Sequence, residues 1–436
     1  MEDSAPKSMR PGFLEELKRI EEAADSAQDA VDREAAEDQN ILFAIEIVEH
    51  FLRKRKRVCY GGQAINAHLP AKMKFYDPAT TIPDYDFLTP DAEADIKEIV
   101  ADFRREGYKN ISVRMGMHEG TTKVYVDYIP IADITAIHAD LYRILSGRSE
   151  KIGGIHYIDV NTLRMMMYLE LSRPRGEVKR WPKVYERLSL LNAAKPIHGN
   201  RCSTEMGLGT PYNSIHTDYF TAALRYIINN KRVLVGAAAV DYYRKKEHLD
   251  RSRKSVHHWL FSHKKPLIFY SSAVKEDLNA IAERINKRTH IEVVKSVGEF
   301  IPQVALLYVG PKTGAKKYLL AAAIQETACH SYNTAGLYFD DEESIIRIGS
   351  LDTLATIYLS FMLSPILEKK LRAPLLCIAE AVVEMGIRNR RRGGTKHTPF
   401  ISLRCVGHQP RMQSLLREKV ERIKAAKEAA AAAEKN

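Results

Sequence analysis

Val58-Cys59-Tyr60-Gly61-Gly62-Gln63-Ala64-Ile65-Asn66-Ala67-His68 reads as a short apolar strand that runs into a Gly-Gly turn and then a helix. Such a turn leaves backbone N–H groups without intrahelical partners at a helix start, where the helix dipole also favours an anion, so Gly61 and Gly62 are candidates to seat a phosphate. After a polar excursion comes Ile82-Pro83-Asp84-Tyr85-Asp86-Phe87-Leu88, which reads as a second strand. Side chains alternate along a strand, so Asp84 and Asp86 share one face while Tyr85 and Phe87 take the other. Two carboxylates on one strand beside a phosphate cradle are what metal-assisted phosphoryl or nucleotidyl transfer requires.

A lone Asp-x-Asp is common on acidic surface strands, and Gly-Gly before a helix is common as well. The order strand, Gly-Gly turn, helix, Asp-x-Asp strand and then a further acidic strand is far more specific. Two metal ions about 4 Å apart need several oxygen ligands between them, so a third carboxylate has to come from a neighbouring strand. Asp127, mid-strand within 123–129, and Asp133, in the apolar run Ile131-Ala132-Asp133-Ile134, are the two candidates. An Asp flanked by Ala and Ile is costly to bury without a cation or hydrogen bonds, which favours Asp133. A helix cap at Asp133 and a solvated ladder charge at Asp127 are the plain structural alternatives.

Outward from this core, residues 1–39 form an acidic, Ala-rich arm, and 40–52 carries a 3.6-residue apolar period that predicts a core helix. The basic run Arg53 to Arg57 is either a solvated helix end or a phosphate contact. Strands are expected over 111–115 and 123–129, with helices over 89–106, 138–145, from 159 or 161, and over 181–191. A Gly-, Pro-, Asn- and Ser-rich linker covers 193–214. The second half offers helices over 215–229, 273–287, 318–327, 349–363 and 375–387, with strands over 267–270, 291–295 and 303–309. It is a second α/β unit, a candidate copy of the first that lacks a Gly-Gly turn followed by Asp-x-Asp.

The 436 residues carry a formal charge of +11, and from residue 386 on there are 13 Lys/Arg against 4 Asp/Glu, or 13 − 4 = +9. Most of the excess charge therefore sits in a basic tail, 388–436, which points to a polyanionic partner; a solvating tail is the alternative. The five cysteines are scattered and no C-x-x-C pair occurs, which argues against zinc fingers and a disulfide framework and suits a reducing compartment. No signal peptide is visible and no apolar run reaches the roughly 20 residues of a membrane span, so no membrane partner is expected.

Tyr60-Gly61-Gly62-Gln63-Ala64-Ile65-Asn66, Lys74-Phe75-Tyr76-Asp77, Ile82-Pro83-Asp84-Tyr85-Asp86-Phe87 and Ile129-Pro130-Ile131-Ala132-Asp133-Ile134-Thr135 resemble the catalytic subunit of poly(A) polymerases from large cytoplasmic DNA viruses. Met167-Tyr168-Leu169-Glu170-Leu171-Ser172-Arg173-Pro174 and Arg180-Trp181 extend the likeness, which spans about 55–195. The wider superfamily is that of the polymerase-beta-like nucleotidyltransferases, from which the insertion 69–81 departs. The resemblance implies an α/β (α+β) nucleotidyltransferase fold with a mixed sheet: a catalytic domain over 40–195, a second, degenerate domain over 196–387, and the tail. It implies template-independent addition of AMP from ATP to an mRNA 3′ end. Asp84, Asp86 and Asp133, with Asp127 as the alternate, would hold Mg2+ or Mn2+, one ion acidifying the RNA 3′-hydroxyl and the other neutralising the triphosphate. Gly61 and Gly62 would hold the terminal phosphates. Arg173, Arg175, Lys179, Arg180 and Lys183 are candidates for contact with RNA or the triphosphate. Homodimers and a heterodimer with a processivity subunit both occur in such a family. A host-cytoplasmic viral factory or the virion is the expected location. Rival readings are another terminal nucleotidyltransferase or oligoadenylate synthetase, and an RNA-binding scaffold on an inactive fold.

Overall fold

Asp38 opens the first core helix. Its carboxylate accepts from the N–H groups of Asn40 and Ile41 at 2.8 and 3.3 Å, which satisfies two donors that a helix start otherwise leaves open. The helix α2 (Gln39–Arg55) buries Ile41, Ala44, Ile45, Val48, Phe51 and Leu52, the stripe its period predicts. The acidic arm before it is a mostly exposed helix, α1 (Phe13–Glu37). The basic run that follows is held largely by intramolecular acids: Arg53 pairs with Glu49, Lys54 and Arg55 with Glu98, and Arg57 grips buried Asp95 with two bonds of 2.8 Å.

This computed structural model describes residues 12–77, 81–198, 215–246, 260, 264–298, 300–311, 317–339, 342–371, 374–395 and 398–433. They fall into two compact units: one of Met1–Gly116, Gly120–Ala136 and Lys151–Tyr157, the other of the remainder. The first unit continues from α2 with β1 (Val58–Cys59), α3 (Gly61–His68), β2 (Tyr85–Thr89), α4 (Ala92–Arg105), β3 (Ile111–Met115), β4 (Thr121–Val126), β5 (Ile129–Ala136), β6 (Glu150–Ile152) and β7 (Ile155–Tyr157). These strands form one sheet in the order β3-β4-β5-β2-β1-β7-β6. Pairs β2/β5 and β1/β7 are parallel; β1/β2, β3/β4 and β4/β5 are antiparallel. The fold is the mixed α/β arrangement expected.

The second unit holds α5 (Ala139–Arg148), α6 (Val160–Leu171), α7 (Trp181–Ala194), α8 (Thr217–Asn229), β8 (Val233–Val235), α9 (Gly236–Lys246), β9 (Leu267–Ser271), α10 (Val274–Ala282), β10 (Thr289–Val294), β11 (Val304–Val309), β12 (Tyr318–Gln325), β13 (His330–Phe339), β14 (Glu342–Gly349), α11 (Leu351–Phe361), α12 (Pro365–Leu371), α13 (Leu375–Arg391), β15 (Cys405–Val406) and α14 (Met412–Ala433). Its sheet runs β10-β11-β12-β9-β8-β14-β13-β15. Pairs β9/β12 and β8/β14 are parallel; β8/β9, β10/β11, β11/β12 and β13/β14 are antiparallel. Strand for strand this repeats the first sheet, with β15 added at the edge. The two sheets also turn into a helix at the same place, Gly61 after β1 and Gly236 after β8, each at positive φ (+72° and +75°).

Superposing those glycines aligns the pairs Cys59↔Phe87 and Leu234↔Phe269. Asp86 then corresponds to Ile268, Asp84 to Pro266 and Asp133 to Ala322, since Asp133 pairs with Asp86 and Ala322 with Ile268. The second sheet keeps the architecture and carries no acid at any of the three positions.

Several expectations are corrected. Residues 318–327 are not a helix: β12 is an interior strand whose six residues Leu319–Ile324 are all buried. Ladder bonds on both edges outweigh the helix preference of its alanines, and small side chains let α10 lie close. Strand 123–129 ends early, at Val126, because Asp127 and Tyr128 (φ +47° and +69°) make a two-residue hairpin turn and Ile129 begins β5. The contacts do not divide at 195: α5, α6 and α7 belong to the second unit, where α6 packs on α11. Most of the expected linker 193–214 lies outside the described residues. The basic tail is not wholly a surface feature, since Arg390 is buried in α13 and paired with buried Asp352. Cysteines do pair, and Cys377 is also disulfide-bonded. Cys405 lies on β15 beside β13, 5.4 Å from Cys329 at Cα, and the two form a disulfide across 76 residues of sequence; spacing alone carries no trace of such a meeting. Among the described residues no single helix is long and apolar enough to cross a membrane.

Candidate active site

Tyr85 and Phe87 turn into the core, 5% and 0% exposed, so Asp86 between them is left on the opposite side of β2, with Asp84 just before the strand. The parallel neighbour β5 is in register Asp86↔Asp133, which puts a third carboxylate beside the pair. Ligand oxygens of Asp84, Asp86 and Asp133 all lie within 4.8 Å of one another. Asp127 is not in this cluster; it stands exposed at the hairpin tip, its N–H bonded to the Asn110 carbonyl at 2.9 Å. Of the two candidates, the sheet register brings Asp133 to the pair and leaves Asp127 away from it.

The glycine turn closes the other side. A Cβ on Gly61 would overlap the Asp86 carboxylate oxygen and stand 3.0 Å from its Cγ, so glycine there is set by contact as well as by backbone conformation. Gly62 is buried in the first turn of α3. Tyr60 ties this turn to both acidic strands: its N–H donates to the Asp86 carbonyl at 2.9 Å, and its hydroxyl meets Thr135 Oγ1 at 2.9 Å, two residues beyond Asp133. Burial first, then the nearby Asp86 carboxylate, holds the Tyr60 hydroxyl well above its ordinary range, so it stays protonated.

The acids differ in their surroundings. Asp84 is pushed up to about 6, first by desolvation and then by Asp133, with Lys123 opposing. Its outer surface is nevertheless open, and water there screens part of the desolvation; the nearby Asp133 charge is the firmer cause. Asp133 is buried, 8% exposed. One of its oxygens, Oδ2, is ion-paired with the ammonium of Lys123, directly opposite on β4. The other, Oδ1, is buried without a hydrogen-bond partner. Leaving such an atom unmet costs about 1–3 kcal/mol or more for a charged group. An all-carboxylate donor set with one oxygen unmet fits a hard divalent cation such as Mg2+ or Mn2+.

Lys183, expected near the phosphates, lies exposed on α7 in the second unit, its ammonium held below the usual range by partial desolvation and by Arg187 and Arg180. Arg180 is partnered by Glu170 and Glu177, both at 3.5 Å. Lys123 and the Tyr60–Thr135 bond were not found by sequence reasoning; the only trace of the first is a Lys alternating with apolar residues on a strand.

The mixed sheet, the strand–glycine–helix turn and the three acids define the class of site: a cluster of carboxylates set against a glycine turn at one sheet. Residues 46–177 match the family of the poly(A) polymerase catalytic subunit, which bears out the resemblance read from the motifs over that stretch. Over 158 residues the chain is 28% identical to a protein of Acanthamoeba polyphaga mimivirus named as a poly(A) polymerase catalytic subunit, covering 35% of this chain and 26% of that one. A protein of the same name from African swine fever virus (strain Badajoz 1971 Vero-adapted) is 26% identical over 160 residues, 35% of this chain and 33% of its own length. The chain thus matches a quarter to a third of the length of these relatives. The solved Megavirus polyadenylate synthase superposes with a TM-score of 0.70 at 16% identity, over 99% of this chain and 86% of the other.

Proposed function

We propose that this chain is a template-independent polynucleotide adenylyltransferase that adds AMP from ATP to the 3′ end of RNA. The observation that carries the reading is the meeting of Asp84, Asp86 and Asp133 within 4.8 Å, against the Gly61 turn, inside the stretch that matches the family. The three acids would hold divalent cations, Mg2+ or Mn2+. Such ions, when bound, acidify an attacking hydroxyl and neutralise a triphosphate and its pyrophosphate leaving group. The protein's own part is placement. Register holds Asp133 beside Asp86, the glycine lets the Asp86 carboxylate lie against the turn, and the start of α3 presents backbone N–H groups to phosphate. Tyr60 keeps strand, turn and acid in fixed relation. RNA and ATP are the substrates on this reading. A second subunit or second copy is compatible with the names of the relatives, and a host-cytoplasmic or virion location fits a viral enzyme of this class.

The test is incubation of the full chain with Mg2+, a 5′-labelled oligoribonucleotide and each of the four nucleoside triphosphates. Long ATP-specific extension of the primer supports the proposal. Short unprimed oligomers would move it to an oligoadenylate synthetase, and RNA binding without extension would make it a scaffold.

A further inference from the structure

Lys123 is a group at the cluster whose chemistry opposes the metal rather than invites it. Its ammonium sits on Oδ2 of Asp133 and is also drawn to Asp84. Its side chain is one-third exposed, so it has room to leave. The second sheet gives an independent comparison. There the residue opposite Ala322 is Leu306, as Lys123 is opposite Asp133, and Leu306 is fully buried. The copy that lacks the acids lacks the lysine too, so the cation goes with the acids and not with the strand.

Three carboxylates this close repel one another, and a resident monovalent cation relieves that repulsion when no metal is present. The same charge disfavours a divalent ion that arrives on the other oxygen of Asp133, because the two oxygens of one carboxylate bring both cations within a few ångströms. We infer that Lys123 is a built-in competitor for the divalent cation that Asp133 helps to hold, a placeholder that keeps the empty site intact and is displaced on loading. This rests on the proposed metal site. An ordinary orienting ion pair makes the opposite prediction, since losing it would leave Asp133 less well aimed and weaken metal binding.

Mn2+ binding to the full chain, followed by electron paramagnetic resonance without nucleotide or RNA, separates the two. Lys123→Met, which removes the charge and keeps the stem, is expected to tighten Mn2+ binding at least about tenfold, while Lys123→Arg stays near the wild type. Lys123→Gln supplies the same answer should the Met variant fold poorly. Unchanged or weaker binding in the neutral variants would overturn the inference. If wild type and Asp86→Ala instead gave the same Mn2+ isotherm, the metal site itself would be refuted, and the placeholder with it.

Discussion

Gly61→Ala is the substitution for which the structure separates folding from function most cleanly. At φ +72° an L-residue carries a backbone strain of about 1–2 kcal/mol. The new methyl would also overlap the Asp86 carboxylate and come within 3.0 Å of its Cγ. The colliding atoms are the end of a rotatable side chain, so the clash is relieved by turning that carboxylate away, at small cost to stability. The turn takes away one of the three acids proposed to hold the metal. Loss of such a ligand is expected to slow tailing at least about 100-fold, or about 3 kcal/mol in the barrier, while the melting temperature falls by only about 2–6 °C. Gly107→Ala is the matched control, with φ +93° and nothing within 4 Å of its Cβ: it should show the thermal loss and keep full activity. Primer extension and thermal denaturation of both variants decide the matter. A Gly61→Ala protein with wild-type turnover, or one that simply fails to fold, would refute the reasoning.

Asp133→Asn should remove Mn2+ binding and tailing, whereas Asp127→Asn at the exposed hairpin tip should leave both within about twofold of wild type; equal effects would mean the cluster is drawn wrongly. His330 gives a pH signature unrelated to the chemistry. It is buried, stacked on Tyr270 at 4.2 Å and lowered to about 3, by desolvation and then by Arg173. A folded value below the unfolded 6.5 means the unfolded chain binds the extra proton, so stability is full above pH 6.5 and is lost as pH falls from there toward 3. At pH 5 the loss is about 2 kcal/mol. His330→Phe should abolish that part of the difference between urea denaturation at pH 7.5 and pH 5; an unchanged difference would contradict the account.

The first unit was largely legible because its signals are local. A 3.6-residue stripe announces α2, alternation announces β2, and only glycine suits the turn at 61. The third acid was narrowed to two, since the cost of burying an Asp among apolar residues is itself local information. Its partner was not legible. Lys123 reaches Asp133 only because the ladder shifts register between Val124 and Tyr125, and an irregularity of that kind leaves no periodic mark. Counting back from the turn without it would miss by one residue. The second unit failed for a different reason: β12 is alanine-rich and buried on both faces, so neither alternation nor propensity announces a strand. Strands β8, β13 and β14 were also overlooked, so the expected copy of the first unit could not be traced strand by strand, because a shared strand order can survive after its diagnostic residues have gone.

That repeat divides labour within one chain. At Pro266, Ile268, Ala322 and Leu306 the duplicate has hydrocarbon where its counterpart has charge, so it has no mutual repulsion of acids to contain and no need of an ion to settle it. Any response to added divalent metal should therefore be confined to one half of the molecule and leave the other indifferent, as though a single protein contained both an instrument and the undisturbed casting from which it was cut.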